Sequence, residues 1–474
     1  MLKKTLLLIS IPVSFLYLKG QYSPDISVIT NTTDIYAGNP INGTAKYNAM
    51  AGSIGALGGD ISSASVNPAG IGVFITNDAN LTLGINNNKN ASTFAGKTLN
   101  NKINDTDINN TGGVLTFNLG ETPSKWKFVN IGVNYSNRSL DNTVRSDANG
   151  NIKIVDDTYY SDKVINYTYL GHIYDRSGNQ SKMNFTVGAN YDNRLYFGAG
   201  FNLYNSYFSQ SDQAGFYSDD DKTSLYYDKQ YTPYDEHSDG FSANIGIIAK
   251  LSNQIRLGAA IESPTWWNID RVYNQYYYKY NQVDLFTEDR TLITPMKATL
   301  SAAFVPSKNF ALNVDFIQGI TKPKYDVVTN TEREINNFFK DSYKNSSEVR
   351  VGAEYRIAAF RLRGGYAYQG NSFDNLSLLG YNENGSASEQ SFSNLLVGKR
   401  NTIGAGLGYD FKAFYIDASY QNITSEYSSP FLQGNINDNT GYFNGGFDVN
   451  SDAYAVSKVK NTRSNFFVTV GWKF

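Results

Sequence analysis

The chain contains no cysteine among its 474 residues. Disulfides, thiolate metal sites and a lipid anchor on a cysteine are thereby excluded. Histidine occurs only at positions 172 and 237, which leaves little for a multi-histidine metal centre or a Ser-His-Asp arrangement. No GxSxG motif occurs, so a hydrolase has no nucleophile and base to draw on, and neither cofactor nor metal is expected. The 41 basic and 43 acidic residues nearly balance and are scattered rather than blocked, which gives no footprint for nucleic acid. Beyond residue 20 no apolar run reaches the roughly 20 residues of a spanning helix.

What is abundant points elsewhere. The chain has 36 Tyr, 28 Phe and 41 Gly against only 11 Pro, a composition that favours long aromatic strands. Lys3 and Lys4 precede an apolar stretch from Leu6 to Leu18, interrupted by Pro12 and followed by the small Gly20. This reads as a secretory signal peptide over residues 1–20, cut near Gly20. Residues 21–75 are rich in small residues, with glycine at 38, 43, 52, 55, 58, 59, 70 and 72. They lack alternation, so compact turns and short helices are expected there. If the exported chain enters a membrane, only a closed barrel satisfies its backbone.

Residues 76–474 supply that barrel in period-two segments. Val349, Val351, Ala353, Tyr355 and Ile357 share one face, opposite Arg350, Glu354 and Arg356. After Ala358 and Ala359, Phe360, Leu362, Tyr366 and Tyr368 oppose Arg361 and Arg363. Ile403, Leu407, Tyr409 and Phe411 likewise oppose Asp410 and three glycines (404, 406, 408), and Phe414, Ile416 and Tyr420 oppose Asp417. An arginine at the bilayer midplane costs about 2–4 kcal/mol. Arg350, Glu354, Arg356, Arg361, Arg363, Asp410 and Asp417 are therefore expected to face the lumen, with the glycines making space beside them.

Fourteen such segments are expected, the first over 79–86 and the last over 464–474, with 254–272 read as a single strand. Short links (192–194, 251–254, 305–309, 357–359, 411–413) alternate with long ones (137–182, 207–239, 272–294, 320–347, 370–400, 424–464). That asymmetry matches periplasmic turns and extracellular loops. A soluble β-sandwich also alternates, but needs neither fourteen strands nor one-sided loops. Phe466, Val468, Val470, Trp472 and Phe474 form an outward row ending on an aromatic residue, similar to the terminal signal read by the barrel assembly machinery.

The remaining candidates are in predicted loops. His172 and His237 read as solvated residues. The acidic runs Asp219–Asp220–Asp221 and Asp235–Glu236 read as solvated charge in preference to calcium ligands. Trp266, Trp267, Tyr276, Tyr277 and Tyr278 form either an interface girdle or a landing surface for a hydrophobic ligand.

Residues 52–70, Gly-Ser-Ile-Gly-Ala-Leu-Gly-Gly-Asp-Ile-Ser-Ser-Ala-Ser-Val-Asn-Pro-Ala-Gly, resemble the N-terminal plug of the FadL/TodX family of outer-membrane transporters, in particular its Bacteroidetes branch. Asn67, Pro68, Ala69 and Gly70 match the plug motif. Residues 255–264, 349–357, 360–368 and 402–410 are similar to barrel strands of that family in the same order. The resemblance implies passive uptake of long-chain fatty-acid-like or other hydrophobic molecules through a plugged barrel of fourteen strands in the bacterial outer membrane. It also implies a lateral exit near the third strand, where Gly132 is the candidate break. The partners it implies are a hydrophobic or lipid ligand and the outer-membrane lipids. The rival reading is a non-transporting barrel whose loops serve adhesion or surface binding.

Overall fold

Alternation is realised as a closed antiparallel ring in the computed structural model, which describes residues 26–120, 124–156, 165–277, 282–434, 440–444 and 447–474. The expected signal peptide and Tyr278 lie outside these residues. The ring runs through β1 (Asp78–Phe94), β2 (Lys97–Asn118), β3 (Trp126–Ser139), β4 (Ile165–Tyr191), β5 (Leu195–Ser218), β6 (Tyr234–Lys250) and β7 (Ile255–Glu262). It continues through β8 (Lys297–Ser307), β9 (Phe310–Gly319), β10 (Ser347–Ile357), β11 (Phe360–Gln369), β12 (Arg400–Asp410), β13 (Phe414–Phe431) and β14 (Ala455–Lys473). Strand β14 pairs with β13 and with β1, Val468 lying opposite Leu83, so the ring of described strands closes on itself. Reciprocal backbone bonds between Asn77 and Phe474, at 3.2 and 3.3 Å, extend that seam by one step.

The outward face has the composition that hydrocarbon requires: Leu83, Ile85, Val187, Phe201, Ile245, Leu300, Leu362, Ile403, Leu407 and Phe466 are all exposed. Their strand neighbours of opposite parity are buried Asn, Thr, Ser and Gln, among them Asn130, Asn184, Asn202, Asn313, Thr402, Gln421 and Thr469. A one-residue slip would exchange the two sets, so the pattern itself specifies register. Tight links close one end of the ring. At 358–359 Ala358 adopts φ +52°, a left-handed turn that joins β10 directly to β11.

Three features depart from expectation. First, the strands run well past the aliphatic belt. The Asn-rich stretch 87–109 is strand on both sides of the turn at Ala95 and Gly96, whose φ values of +46° and +76° fit a two-residue hairpin. His172 and His237 lie within β4 and β6, not in loops. Second, the strand expected over 254–272 is interrupted. Ser263, Pro264 and Thr265 separate β7 from the segment Trp266–Tyr277, and Pro295 interrupts the facing strand between Gln282–Ile293 and β8. Proline has no N–H to give to a ladder. Thr265 and Thr294 bridge the break, the Thr294 amide donating to the Thr265 carbonyl at 3.0 Å. Third, a helix, α1 (Asn330–Ser342), lies within the long 320–347 connection. Thr329 and Glu332 form its capping box, and Ile335, Phe338 and Phe339 face a core built with Tyr325, Trp267 and Phe373.

Residues 26–77 precede β1 and lie within the ring. They contain only short helical turns: Ile26–Asn31 running into Thr32–Tyr36, then Ala45–Ala49, Ile61–Ser65 and Pro68–Val73. In the first, the hydroxyls of Thr30, Thr32 and Thr33 donate to carbonyls four residues back at 2.8, 2.6 and 2.9 Å, which loosens the helix. Thr44, Asp60 and Asn67 cap the other three.

Candidate functional site

The lower half of residues 26–77 is bonded to the wall around its circumference. Asn67 is fully buried. Its Oδ1 accepts from the Ala69 amide at 3.1 Å, and its Nδ2 donates to the carbonyl of Gly55 at 2.9 Å and to that of Ile247 on β6 at 3.1 Å. Pro68 takes the first position of the following turn, where no N–H is needed. Wall glycines make the approach possible: a Cβ at Gly198 would collide with Pro68 and Ala69, and one at Gly246 with the Asn67 side chain. Gly70 packs equally tightly on Ser63 and Gly58. The motif at 67–70 thus joins two parts of the segment to each other and to β5 and β6.

Other strands contribute matching contacts. Asn130 on β3 donates to the Ile71 and Phe74 carbonyls at 2.7 and 2.9 Å, and Asn244 on β6 to Ala64 at 2.9 Å. The Asp315 carboxylate on β9 accepts from the amides of Ile54 and Gly55 at 2.9 and 3.2 Å. Thr469 on β14 accepts from the Ala45 amide at 2.7 Å. A Cβ at Gly404 or Gly406 would collide with Asn48 or Ala49, which is the space-making role expected of these glycines. A Cβ at Gly132 would lie 3.2 Å from Ile61 and 3.4 Å from Ile71, a tight fit without a collision. Strand β3 is nevertheless paired through Gly132 on both sides, with Val114 and with Thr186. The break expected there is absent, because the glycine admits a side chain of the inner segment without releasing the ladder.

The seven charged wall residues fall into three groups. Arg350 lies deepest, paired with Glu348 at 2.7 Å and donating to the Tyr47 hydroxyl at 3.0 Å. Arg363 bridges Glu354 and Asp417, both at 2.6 Å. The others sit at the short-turn rim and not along the lumen proper. Arg356 is half exposed beside Glu354, Arg361 donates to the Ala358 carbonyl at 2.8 Å, and Asp410 pairs with Lys473 at 2.8 Å. Position near the strand ends accounts for this, since Arg356 and Arg361 face each other one pair away from the turn.

Above the bonded layer, on the side of the long connections, lies a cavity of about 630 Å³. The first turns of the chain form part of its floor and wall. Asp34 accepts from Arg176 at 3.1 Å and from Arg400 at 3.3 Å, with Arg138 and Arg463 also acting on it. Burial alone would raise its carboxyl, but the guanidiniums hold it well below the usual carboxylate range. Tyr36 donates to Glu236, which pairs with Arg271 at 2.6 Å, and its ring meets the Trp267 indole edge-on at 4.9 Å.

The aromatic series does not form one surface. Trp267 is 1% exposed and faces inward, whereas Trp266 is 44% exposed and stacks on Phe241 outside. Tyr276 stacks on Phe443 and donates to Asp228 at 2.8 Å, and Tyr277 tilts against Phe286. Adjacent residues of a strand point to opposite faces, which a list of aromatics in sequence conceals. The same rule splits Asp235 from the inward Glu236, while Asp219 pairs with Lys153 at 2.9 Å. Among the described residues no three metal-binding side chains converge. His172 is buried, with Nε2 2.9 Å from Asp212 and its ring 4.3 Å from that of Phe431.

Asp34, Tyr36 and the arginines around Asp34 were not singled out from the sequence, and Glu236, expected to be solvated, is buried. Parity was available for the wall members. Arg400 continues the inward row of Thr402 and Gly404, and Arg463 that of Asn465, Phe467 and Thr469. For Asp34 and Tyr36, in a segment without periodicity, no such signal exists.

No family model and no curated protein matches this chain. Solved structures do. A FadL homologue of Pseudomonas aeruginosa aligns over 92% of this chain and 99% of its own, with a TM-score of 0.58 at 13% identity. The toluene transporter TodX of Pseudomonas putida aligns over 92% and 100%, with a TM-score of 0.54 at 12% identity. The toluene transporter TbuX of Ralstonia pickettii aligns over 92% and 99%, with a TM-score of 0.53 at 12% identity. The chain shares their fold.

Proposed function

We propose that this protein is an outer-membrane channel for the passive uptake of hydrophobic or amphipathic molecules, with residues 21–75 as its plug and residues 76–474 as its barrel. The observation that carries the reading is the two-level interior: a ring-bonded segment across the lumen, with a cavity of about 630 Å³ above it on the long-loop side. A ligand of fatty-acid size fits such a volume, which lies within the ordinary range of small-molecule sites. Similarity of fold to transporters of toluene supports the same class of cargo. An adhesive barrel would leave both the inner segment and the cavity without a role.

Three physical steps follow from the geometry. The outward aliphatic face holds the barrel in the bilayer, and the row from Phe466 to Phe474 presents the terminal strand for assembly. The long connections, including the exposed aromatic residues near Trp266 and Tyr277, deliver ligand to the cavity. Passage beyond it then requires the first part of the plug to move, because the layer around Asn67 is tied to the wall by many short bonds. The reading describes a transporter and not an enzyme.

Proteoliposome uptake tests this. Deleting residues 22–70 while retaining the signal peptide should give a folded barrel that passes a small hydrophilic sugar faster than the intact protein, while the intact protein passes a fluorescent fatty acid and excludes the sugar. A folded deletion variant no more permeable than the intact protein would defeat the plug assignment. An intact protein that passes no hydrophobic probe would defeat the transport reading.

A further inference from the structure

Four guanidiniums converge on the upper cavity from four different elements: Arg138 from β3, Arg176 from β4, Arg400 from β12 and Arg463 from β14. The plug supplies one carboxylate in return, Asp34, which bonds Arg176 and Arg400 directly. Asp141, Asp105, Asp212, Glu288, Glu334 and Glu348 also line the cavity, Asp141 accepting from the Gly178 amide at 2.9 Å, but the charges acting most strongly on Arg138 and Arg463 are Asp34 and the other arginines of the cluster. Arg176 is further fixed by the Leu140 carbonyl at 2.9 Å and Asn31 at 3.1 Å, and Arg138 by Gln180 at 3.0 Å and the Ile35 carbonyl at 2.8 Å. The Arg463 guanidinium has no hydrogen-bond or ion-pair partner among the described residues. Cations gathered in a partly closed cavity repel one another unless an anion compensates them.

Resting on the transport reading above, we propose that these arginines bind the head of an amphipathic ligand carrying a compact, doubly charged oxyanion such as a phosphate monoester. The charge count selects this class. A neutral hydrocarbon leaves the four guanidiniums with Asp34 as the one carboxylate bonded to them. A single carboxylate head does no more than duplicate Asp34 or displace it. A dianionic head beside Asp34 brings the cluster close to balance, and the planar forks of arginine match the oxygens of such a group. Tyr174, Tyr427, Ile423, Val397 and Phe431 line the same cavity and give the apolar tail a surface continuous with the head site. Because Asp34 occupies two of the four guanidiniums, the plug's own carboxylate competes with the ligand. Binding of the head thus weakens a contact that holds the first turns of the chain in place.

Calorimetric titration of the full-length protein in non-ionic detergent at low salt separates the alternatives. The probes are octyl phosphate, octanoate, octanol and inorganic phosphate, at a pH above the second phosphate pKa of about 6. Octyl phosphate should bind about tenfold or more tightly than octanoate or octanol. Arg463→Gln and Arg138→Gln should each bring octyl phosphate affinity down to that of octanol. Asp34→Asn should tighten octyl phosphate, a gain that misfolding cannot produce. Octanol binding as tightly as octyl phosphate would overturn the anion site and leave the transport reading standing. Inorganic phosphate binding as tightly as octyl phosphate would overturn the amphiphile assignment. Failure of every probe to bind would overturn both this inference and the transport reading.

Discussion

Replacing Asn67 by alanine removes three hydrogen bonds at once: the cap on the Ala69 amide and the donations to the Gly55 and Ile247 carbonyls. Loss of an N-cap costs about 0.5–2 kcal/mol, and each further hydrogen bond about 0.5–1.5 kcal/mol net. The site cannot refill with water easily, because Pro68, Gly246 and Gly258 close around it. The sum is about 3 kcal/mol, charged to opening of the lower plug and not to the barrel, whose ladder does not use this side chain. Hydrogen exchange in detergent reads that quantity locally. Amides of residues 55–73 should exchange about a hundredfold faster, at about 1.4 kcal/mol per tenfold, while amides of β10 to β12 keep their wild-type rates. Asn67→Asp keeps the cap acceptor and loses both donations, so it should fall between the two. Exchange of residues 55–73 within threefold of wild type in Asn67→Ala would refute the view that this side chain ties the plug to β6.

Facing can be tested on one strand. Leu362→Arg turns a charge to lipid from a residue 42% exposed and should cost about 2–4 kcal/mol, whereas Gln369→Arg on the inner face borders the cavity and should assemble normally. Equal loss of heat-modifiable mobility in both would contradict the assigned faces. Ala367, which shares that inner face, is 2% exposed and packs near Ile41 and Tyr47, so Ala367→Arg should displace the plug and raise sugar permeability. The ionic strap at Asp34 has a definite pH dependence. Its folded carboxyl lies well below the unfolded value of about 3.9, so its contribution is complete above that value and is lost only as pH falls through the depressed one. Protease sensitivity near residue 34 should therefore be unchanged between neutral pH and about pH 4.5, and release within that window would show that the arginines do not hold the group.

Legibility from the sequence followed the environment of each segment. Where lipid lies outside and plug inside, as in β10 to β12, alternation is strict because each face meets a different medium, and register can be read residue by residue. Above the bilayer that contrast vanishes. Asn87 to Asn109 carry Asn, Lys, Asp, Ser and Thr on both faces, so a stretch of paired strand reads as a loop, held by backbone bonds and by amide pairs such as Asn461 with Asn90 at 2.7 Å. The interruption at Pro264 was visible as a proline within an expected strand. Helix α1 fell in a stretch read only as a long connection, although Thr329 and Glu332, three residues apart, carry a capping-box signal. The ligand-facing cluster was half legible: strand parity places Arg400 and Arg463 inward, but their shared partner Asp34 comes from a segment whose fold is set by what surrounds it.

The plug is therefore held by two kinds of interaction at two heights, and they differ in how they can be released. Below, uncharged amides and small residues mesh with wall glycines. These contacts are short, buried and numerous, and no soluble ligand offers a substitute for them. Above, the chain from Ile26 to about Ile41 is held by the contacts of buried Tyr36 with Glu236 and Trp267 and by ion pairs at Asp34, and the ion pairs border a cavity that a ligand can enter. Only the ion pairs at Asp34 can be exchanged for interactions with an incoming molecule, and a ligand shifts such an equilibrium only through its differential affinity for the two states. An anion that engages Arg463 without disturbing Asp34 would bind and leave the plug shut. One that takes Arg176 or Arg400 from Asp34 favours release of the first turns, while the contacts of the Asn67 layer with the wall stay in place.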